Sequence, residues 1–294
     1  MPAEIKPEQT VISQLLDAKQ GKIGILKLNA EKTLNSLTLD MVQQLSAKLS
    51  DWAQTTDIHA VVLMSKGDKA FCAGGDVQQL YQSAKSKPGG PCEYGEAFFQ
   101  QEYQLNYQIH SYSKPIICLG HGIVMGGGVG VSCHGSHRVV CENSQIAMPE
   151  CGIGLIPDVG GSYLLARAPG RLGEYLGLTS ERMGPGDAIY VGFADLYIPE
   201  DQWGTLKATL CASGDVAAIA GVQRPATDSP LRAAQAEIDR LFAAPGLKDI
   251  VILLSSDPSA VAANALRKMS RNAPLAMECA LDITRRLRSG TPDI

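Results

Sequence analysis

The chain has 294 residues, 45% of them hydrophobic and 19% charged, which suffices for one large domain or two smaller ones and excludes a wholly disordered chain. Lys and Arg number 26 against 30 Asp and Glu, a net charge of −4, so no basic excess exists to neutralise a nucleic-acid backbone. The longest weakly polar run, 116–131, holds His121 and six glycines and is too short for a membrane span; neither nucleic acid nor membrane is an expected partner.

Residues 22–29 read as a strand. Thr38 can cap a helix whose apolar stripe is Met41, Val42, Leu45, Leu49 and Trp52. The continuous apolar run 60–64 has the form of a buried strand, and the turn Ala73-Gly74-Gly75-Asp76 after it leads into a helix. Residues 83–95, with Lys, Pro and Gly, read as a mobile loop. A helix to about Tyr112 follows, then a strand at 116–120, a triple glycine opening another helix, and strands at 138–141 and 145–147. The order strand, glycine turn, helix thus occurs twice, as expected of an α/β domain with helices packed on sheets. After about Asp195 strand signals fade apart from 250–254, while 230–243, 258–271 and 274–288 read as helices. The simplest division is an α/β core over 1–200 and a helical C-terminal region over 201–294.

The eight cysteines include no C-x-x-C pair, and several lie in apolar runs, as Cys118 does; they read as reduced, buried thiols. The first residues show no basic-then-apolar leader and carry Glu4 and Glu8, so the expected location is the cytoplasm.

Three features could carry chemistry. Glu102 falls on the apolar stripe of its helix, with Phe98, Leu105 and Ile109; it either reaches solvent at a helix end or lines a pocket. Gly126-Gly127-Gly128 costs roughly 1 kcal/mol per residue relative to Ala inside a helix. The run makes sense if backbone N–H groups face a ligand oxygen, or if a helix and a sheet must approach closely. With the turn at 73–76 it could supply two N–H groups to one oxygen, an oxyanion hole of the kind acyl transfer needs. Glu150 and Asp158 stand eight residues apart in a Gly/Pro-rich connection, each after a proline. Apolar neighbours would raise their pKa values toward acid–base work, although Asp158 could instead cap a helix starting near Gly160. A serine hydrolase lacks its elbow, the nearest approach being Gly130-Val131-Ser132-Cys133-His134, and His134 with His137 lacks a third metal ligand. No metal is expected.

Ala70-Phe71-Cys72-Ala73-Gly74-Gly75-Asp76, His121-Gly122-Ile123-Val124-Met125-Gly126-Gly127-Gly128-Val129-Gly130, Met148-Pro149-Glu150 and Pro157-Asp158-Val159-Gly160-Gly161 follow one another in this order. In order and spacing they resemble the crotonase (enoyl-CoA hydratase/isomerase) superfamily. Together with Phe98-Phe99-Gln100-Gln101-Glu102-Tyr103 they look most like its 3-hydroxyisobutyryl-CoA hydrolase branch, over about residues 20–200. The resemblance implies a spiral of ββα turns binding a CoA thioester. It implies an oxyanion hole from backbone N–H groups near Ala73 or Gly75, beside Asp76, and of Gly127. It implies a catalytic carboxylate at Glu150, a second at Asp158 and a substrate-contacting Glu102 near the acyl hydroxyl. Hydratases carry a further Glu two residues after the glycine triplet, where this chain has Gly130, which disfavours water addition across a double bond. The helical region is short relative to the branch, and a homo-oligomer built on trimers is the implied assembly. The expected activity is hydrolysis of a short-chain 3-hydroxyacyl-CoA within valine catabolism, with CoA as part of the substrate and no cofactor. The alternatives are an isomerase- or hydratase-type acyl-CoA enzyme and a non-catalytic CoA-binding subunit.

Overall fold

The structure, a computed structural model, describes residues 9–290. The leader expectation at Glu4 and Glu8 and the tail 291–294 lie outside the described residues. In chain order the first elements are β1 (Val11–Asp17), β2 (Lys22–Leu28), α1 (Leu39–Gln54), β3 (Ile58–Ser65), β4 (Ala70–Cys72), α2 (Val77–Ser86) and α3 (Glu93–His110). Then come β5 (Ile116–Gly120), β6 (Ile123–Met125), α4 (Gly127–Ser132), β7 (His137–Val140), β8 (Gln145–Ala147), α5 (Gly161–Arg167), α6 (Leu172–Thr179), α7 (Pro185–Tyr190) and β9 (Leu196–Tyr197). The rest is helical: α8 (Trp203–Ser213), α9 (Pro230–Phe242), α10 (Leu247–Ser256), α11 (Ala260–Met269) and α12 (Pro274–Ser289).

The strands form two sheets, β1-β2-β3-β5-β7-β9 and β4-β6-β8. Each repeat sends its first strand to the large sheet (β3, β5, β7) and its second to the small one (β4, β6, β8), with parallel pairing from turn to turn. This is the ββα spiral of the crotonase fold. Period-two alternation divides the strand side chains between two cores. Ile23, Ile25, Ala60, Val62, Ile117, Leu119 and Val139 face Trp203, Leu206 and Leu210 of α8. Leu26, Leu28, Val61, Leu63, Ile116 and Val140 face the main cluster, which runs on into Leu231 and Ile238 of α9 and Leu281 of α12. Both faces of the large sheet are covered, which explains why its strands read as unbroken apolar runs.

Thr38 caps α1, its hydroxyl accepting from Met41 N–H at 3.2 Å. Two expectations fail. Residues 250–254 belong to a helix, α10, and not to a strand: only Ile250 and Leu254, one turn apart, are buried, while Ile252 is 56% exposed. A short apolar run fits a strand or a helix by periodicity alone, and here packing of every fourth residue decides. The expected loop 83–95 is mostly helical, since α2 runs to Ser86 and α3 starts at Glu93. Its irregular part is confined to 87–92, where Pro88 disfavours helical backbone at Lys87.

Candidate active site

The two glycine turns end at one place. Leu37 pins the first from both sides, its N–H donating to Gly74 O and its carbonyl accepting from Asp76 N–H, each at 2.8 Å. Gly74 sits at φ 113°, a conformation that side-chain-bearing residues rarely adopt. A Cβ placed on Gly127 would stand 3.3 Å from Gly75 N and 2.4 Å from Glu102 Oε1. One on Gly126 would stand 2.8 Å from Glu150 Oε1 and 3.8 Å from Gly74 Cα. The space left by these absent side chains is therefore bordered by both turns and by two carboxyl groups.

Of the four positions named for the first turn and the triplet, two have engaged amides. Ala73 N–H donates to Leu34 O at 3.1 Å and Asp76 N–H to Leu37 O. The Asp76 carboxylate is committed to capping α2, accepting from Gln79 N–H at 3.1 Å and from its amide at 2.9 Å. Gly75 and Gly127 have no such acceptor among the described residues. Their N–H groups are the two of the four left without an acceptor among the described residues. The close approach read from the triplet is present: a Cβ on Gly128 would lie 2.3 Å from Cys72 O, where α4 presses on β4, while Gly127 borders the space between the turns.

Glu102 does not reach solvent. It is 2% exposed on the inner face of α3, and its Oε1 has no partner. Glu150 opens a short 3-10 turn at 150–153, is 5% exposed and leaves Oε2 without a partner. Burial pushes both carboxyls up to about 8, with the Asp158 charge adding to each and Glu102 adding to Glu150. Asp158 does not cap α5, whose N-cap is Gly160 with no side-chain bond. Its carboxylate accepts from Tyr103 O–H at 2.7 Å. Burial raises the Asp158 pKa, opposed by that hydrogen bond. Val159, next to it, holds φ 45°, a costly conformation for a β-branched residue. His134 Nε2–H donates to the Val159 carbonyl at 2.8 Å, fixing this bend and spending the His134 ring on structure.

The serine and histidine weighed from sequence are engaged locally. Ser132 O–H donates to Gly128 O at 2.7 Å inside α4, and His137 Nδ1 meets Ser136 Oγ at 2.9 Å. Among the described residues no group of three or more His, Cys, Asp or Glu side chains could hold a metal ion.

Two residues of the site escaped the sequence reading. Tyr103 was legible only as part of a motif, because nothing local points its hydroxyl at Asp158. Asn106 carried a usable signal: it lies four residues after Glu102, a second polar side chain on the buried stripe of α3. A Cβ on Gly130 would stand 2.7 Å from Asn106 Nδ2 and 2.8 Å from Val159 Cβ. Tyr103, Asn106, Pro157, Asp158 and Val159 line a cavity of about 520 Å³.

The family described as enoyl-CoA hydratase/isomerase matches residues 23–292. The mitochondrial 3-hydroxyisobutyryl-CoA hydrolase of Danio rerio is 37% identical over 277 residues, covering 90% of this chain and 72% of that protein. Its counterpart in Homo sapiens is 35% identical over 279 residues, covering 91% and 71%. Among solved structures, a carnitinyl-CoA dehydratase from Mycobacterium thermoresistibile is 37% identical and superposes with a TM-score of 0.90, covering 97% of this chain and 81% of that one.

Proposed function

The chain belongs to the enoyl-CoA hydratase/isomerase family, and from that premise we propose that it is an enzyme hydrolysing 3-hydroxyisobutyryl-CoA, a short-chain 3-hydroxyacyl-CoA thioester, to the free acid and CoA. The observation that carries the reading is the shared space between Gly75, Gly127, Glu102 and Glu150.

The thioester carbonyl oxygen lies between the N–H groups of Gly75 and Gly127, which stabilise the negative charge that develops on it. A Glu150 carboxylate oxygen either attacks the carbonyl carbon or takes a proton from a water that does so. In the first route an acyl–Glu150 anhydride forms, the C–S bond breaks and CoA leaves as thiolate; water then cleaves the anhydride. In the second, water adds directly and CoA leaves from the tetrahedral intermediate. Asp158, held by Tyr103, supports Glu150, and in the second route it moves the proton that Glu150 took from water to the departing sulfur. Glu102 contacts the acyl group near its hydroxyl. Hydroxylamine added during turnover separates the routes, because only the anhydride yields a Glu150 hydroxamate.

Release of free thiol from 3-hydroxyisobutyryl-CoA, followed with a thiol reagent, tests the assignment. No release by the wild type, or undiminished release by Glu150→Gln, overturns it. A second reading, water addition or removal at a double bond, takes support from the dehydratase that superposes so closely. Gly130 weighs against it, since any side chain there meets Asn106 and Val159. Hydration of crotonyl-CoA by the wild type would favour this second reading.

An enzyme of this specificity serves valine catabolism. All eight cysteines are free; a cytoplasmic location stands as a proposal, tested by fractionation. No helix among the described residues is long and apolar enough to cross a membrane. The division into a 1–200 spiral core and a 201–294 helical region is kept as a functional one, every proposed catalytic group lying in the former. A trimer-based homo-oligomer is the proposed assembly, and sedimentation measures it.

A further inference from the structure

Asn106 is 5% exposed, and neither its amide nitrogen nor its carbonyl oxygen has a partner. A buried polar group without a partner is costly, and here both ends of one carboxamide are unpaired. It lies one helical turn beyond Glu102 on the same face of α3 and lines the cavity that Asp158 also borders. It occupies the volume that any side chain at position 130 would need, with Nδ2 2.7 Å and Oδ1 3.0 Å from where that Cβ would stand. Gly130 is thus what admits Asn106 to the site.

Resting on the hydrolase reading above, we infer that Asn106 is a specificity-determining residue that binds the 3-hydroxyl of the acyl group. A carboxamide suits a hydroxyl ligand, because Oδ1 accepts the hydroxyl proton while Nδ2 donates to the hydroxyl oxygen. The rest of the nearby lining, with Tyr107, Leu155, Ile156 and Pro157, offers mainly apolar surface to the carbon chain. A deoxy acyl group entering this site leaves both ends of Asn106 unpaired, and a site built to bond a hydroxyl rejects such an analogue strongly. Glu102, its Oε1 unpartnered beside Gly127, contacts the acyl group on the carbonyl side of that hydroxyl, one helical turn from Asn106.

The test compares kcat/KM for 3-hydroxyisobutyryl-CoA and isobutyryl-CoA in the wild type and in Asn106→Leu, which keeps the size and removes the bonds. Asn106→Ala serves as a second variant that adds no branched bulk, and melting curves establish that each is folded. The wild type should prefer the hydroxylated substrate, and both variants should lose about 30-fold or more on it while changing less than about 3-fold on isobutyryl-CoA. Equal losses on the two substrates, as expected if Asn106 holds the attacking water or only fills space, overturn the inference while leaving the hydrolase reading intact. So does an undiminished preference for the hydroxylated substrate. Failure of the wild type to release CoA from either substrate overturns the hydrolase reading instead.

Discussion

Two places among the described residues bury glutamates, and they treat them in opposite ways. Glu174 on α6 has no exposed side-chain surface and is ringed by arginines: Arg171 at 2.8 Å, Arg288 at 3.2 Å and Arg285 at 3.7 Å. Arg285 also donates to the carbonyls of Phe242 and Ala244 at 2.8 Å, so one buried charge ties α12 to α6 and to the end of α9. Glu102 and Glu150 are buried as deeply, yet each keeps an oxygen without a partner, and no cation is paired with either among the described residues. Buried charge is costly unless paired. Where the fold needs only cohesion it pairs the charge; beside the glycine turns it leaves the cost standing, and the unpaired atoms border the space a substrate would fill.

That contrast can be broken by substitution. Glu150→Gln should lower kcat by about 10²–10⁴-fold, the range for a lost general base, with more if Glu150 is the nucleophile. Circular dichroism should show the variant fully folded. Glu174→Ala should do the reverse: a loss of about 3–5 kcal/mol in denaturant unfolding, because buried arginines are left unpaired, with kcat of the folded fraction kept. Gly127→Ala should cost about 10²–10³-fold in kcat, since the added methyl stands between Glu102 and the Gly75 amide. Tyr103→Phe, which removes the hydrogen bond to Asp158, should cost about tenfold and alter the pH–rate profile.

The smallest effect is on pH-dependent stability, and its sign separates the two sites. The folded-state pKa values of Glu102 and Glu150 rise from 4.5 to about 8. Between those limits the folded chain holds protons that the unfolded chain has released, so stability falls as pH rises through the window and is lowest above it. Glu102→Gln should therefore raise the melting temperature at about pH 8.5 and leave it almost unchanged at about pH 4. Glu174→Gln should lower it at about pH 8.5, where the arginines lose their partner. A Glu102→Gln variant that melts earlier at the higher pH would show that this carboxylate is paired after all.

Much of this was legible in the chain because it is local. Thr38 and the stripe Met41, Val42, Leu45, Leu49 and Trp52 specify α1 by capping and periodicity, and the structure keeps both. The glycine turns, the place of Glu102 on an apolar stripe and the alternation of strands and helices were likewise written in short windows of sequence, whereas the burial of Glu102 was settled only by the fold. Where a window admits two answers, distant neighbours decide: Ile250 and Leu254 find a core on one side of α10, and the strand reading of 250–254 gives way. Asp158 could have capped α5, but Tyr103, 55 residues earlier, supplies its hydrogen bond instead.

The amino-acid sequence by itself determined which residues can carry the chemistry: two glycine turns, three carboxyl groups and a glycine where a hydratase has glutamate. Only the tertiary structure decided which of them meet. Gly75 and Gly127 come together because β4 and β6 are neighbours in the small sheet, and Glu102 reaches Gly127 and Asn106 reaches Gly130 because α3 packs against α4. Those contacts join segments far apart along the chain, and no short-range pattern encodes a distance across a sheet; the burial that raises the carboxyl pKa values and strands the Asn106 amide exists only once the spiral has closed.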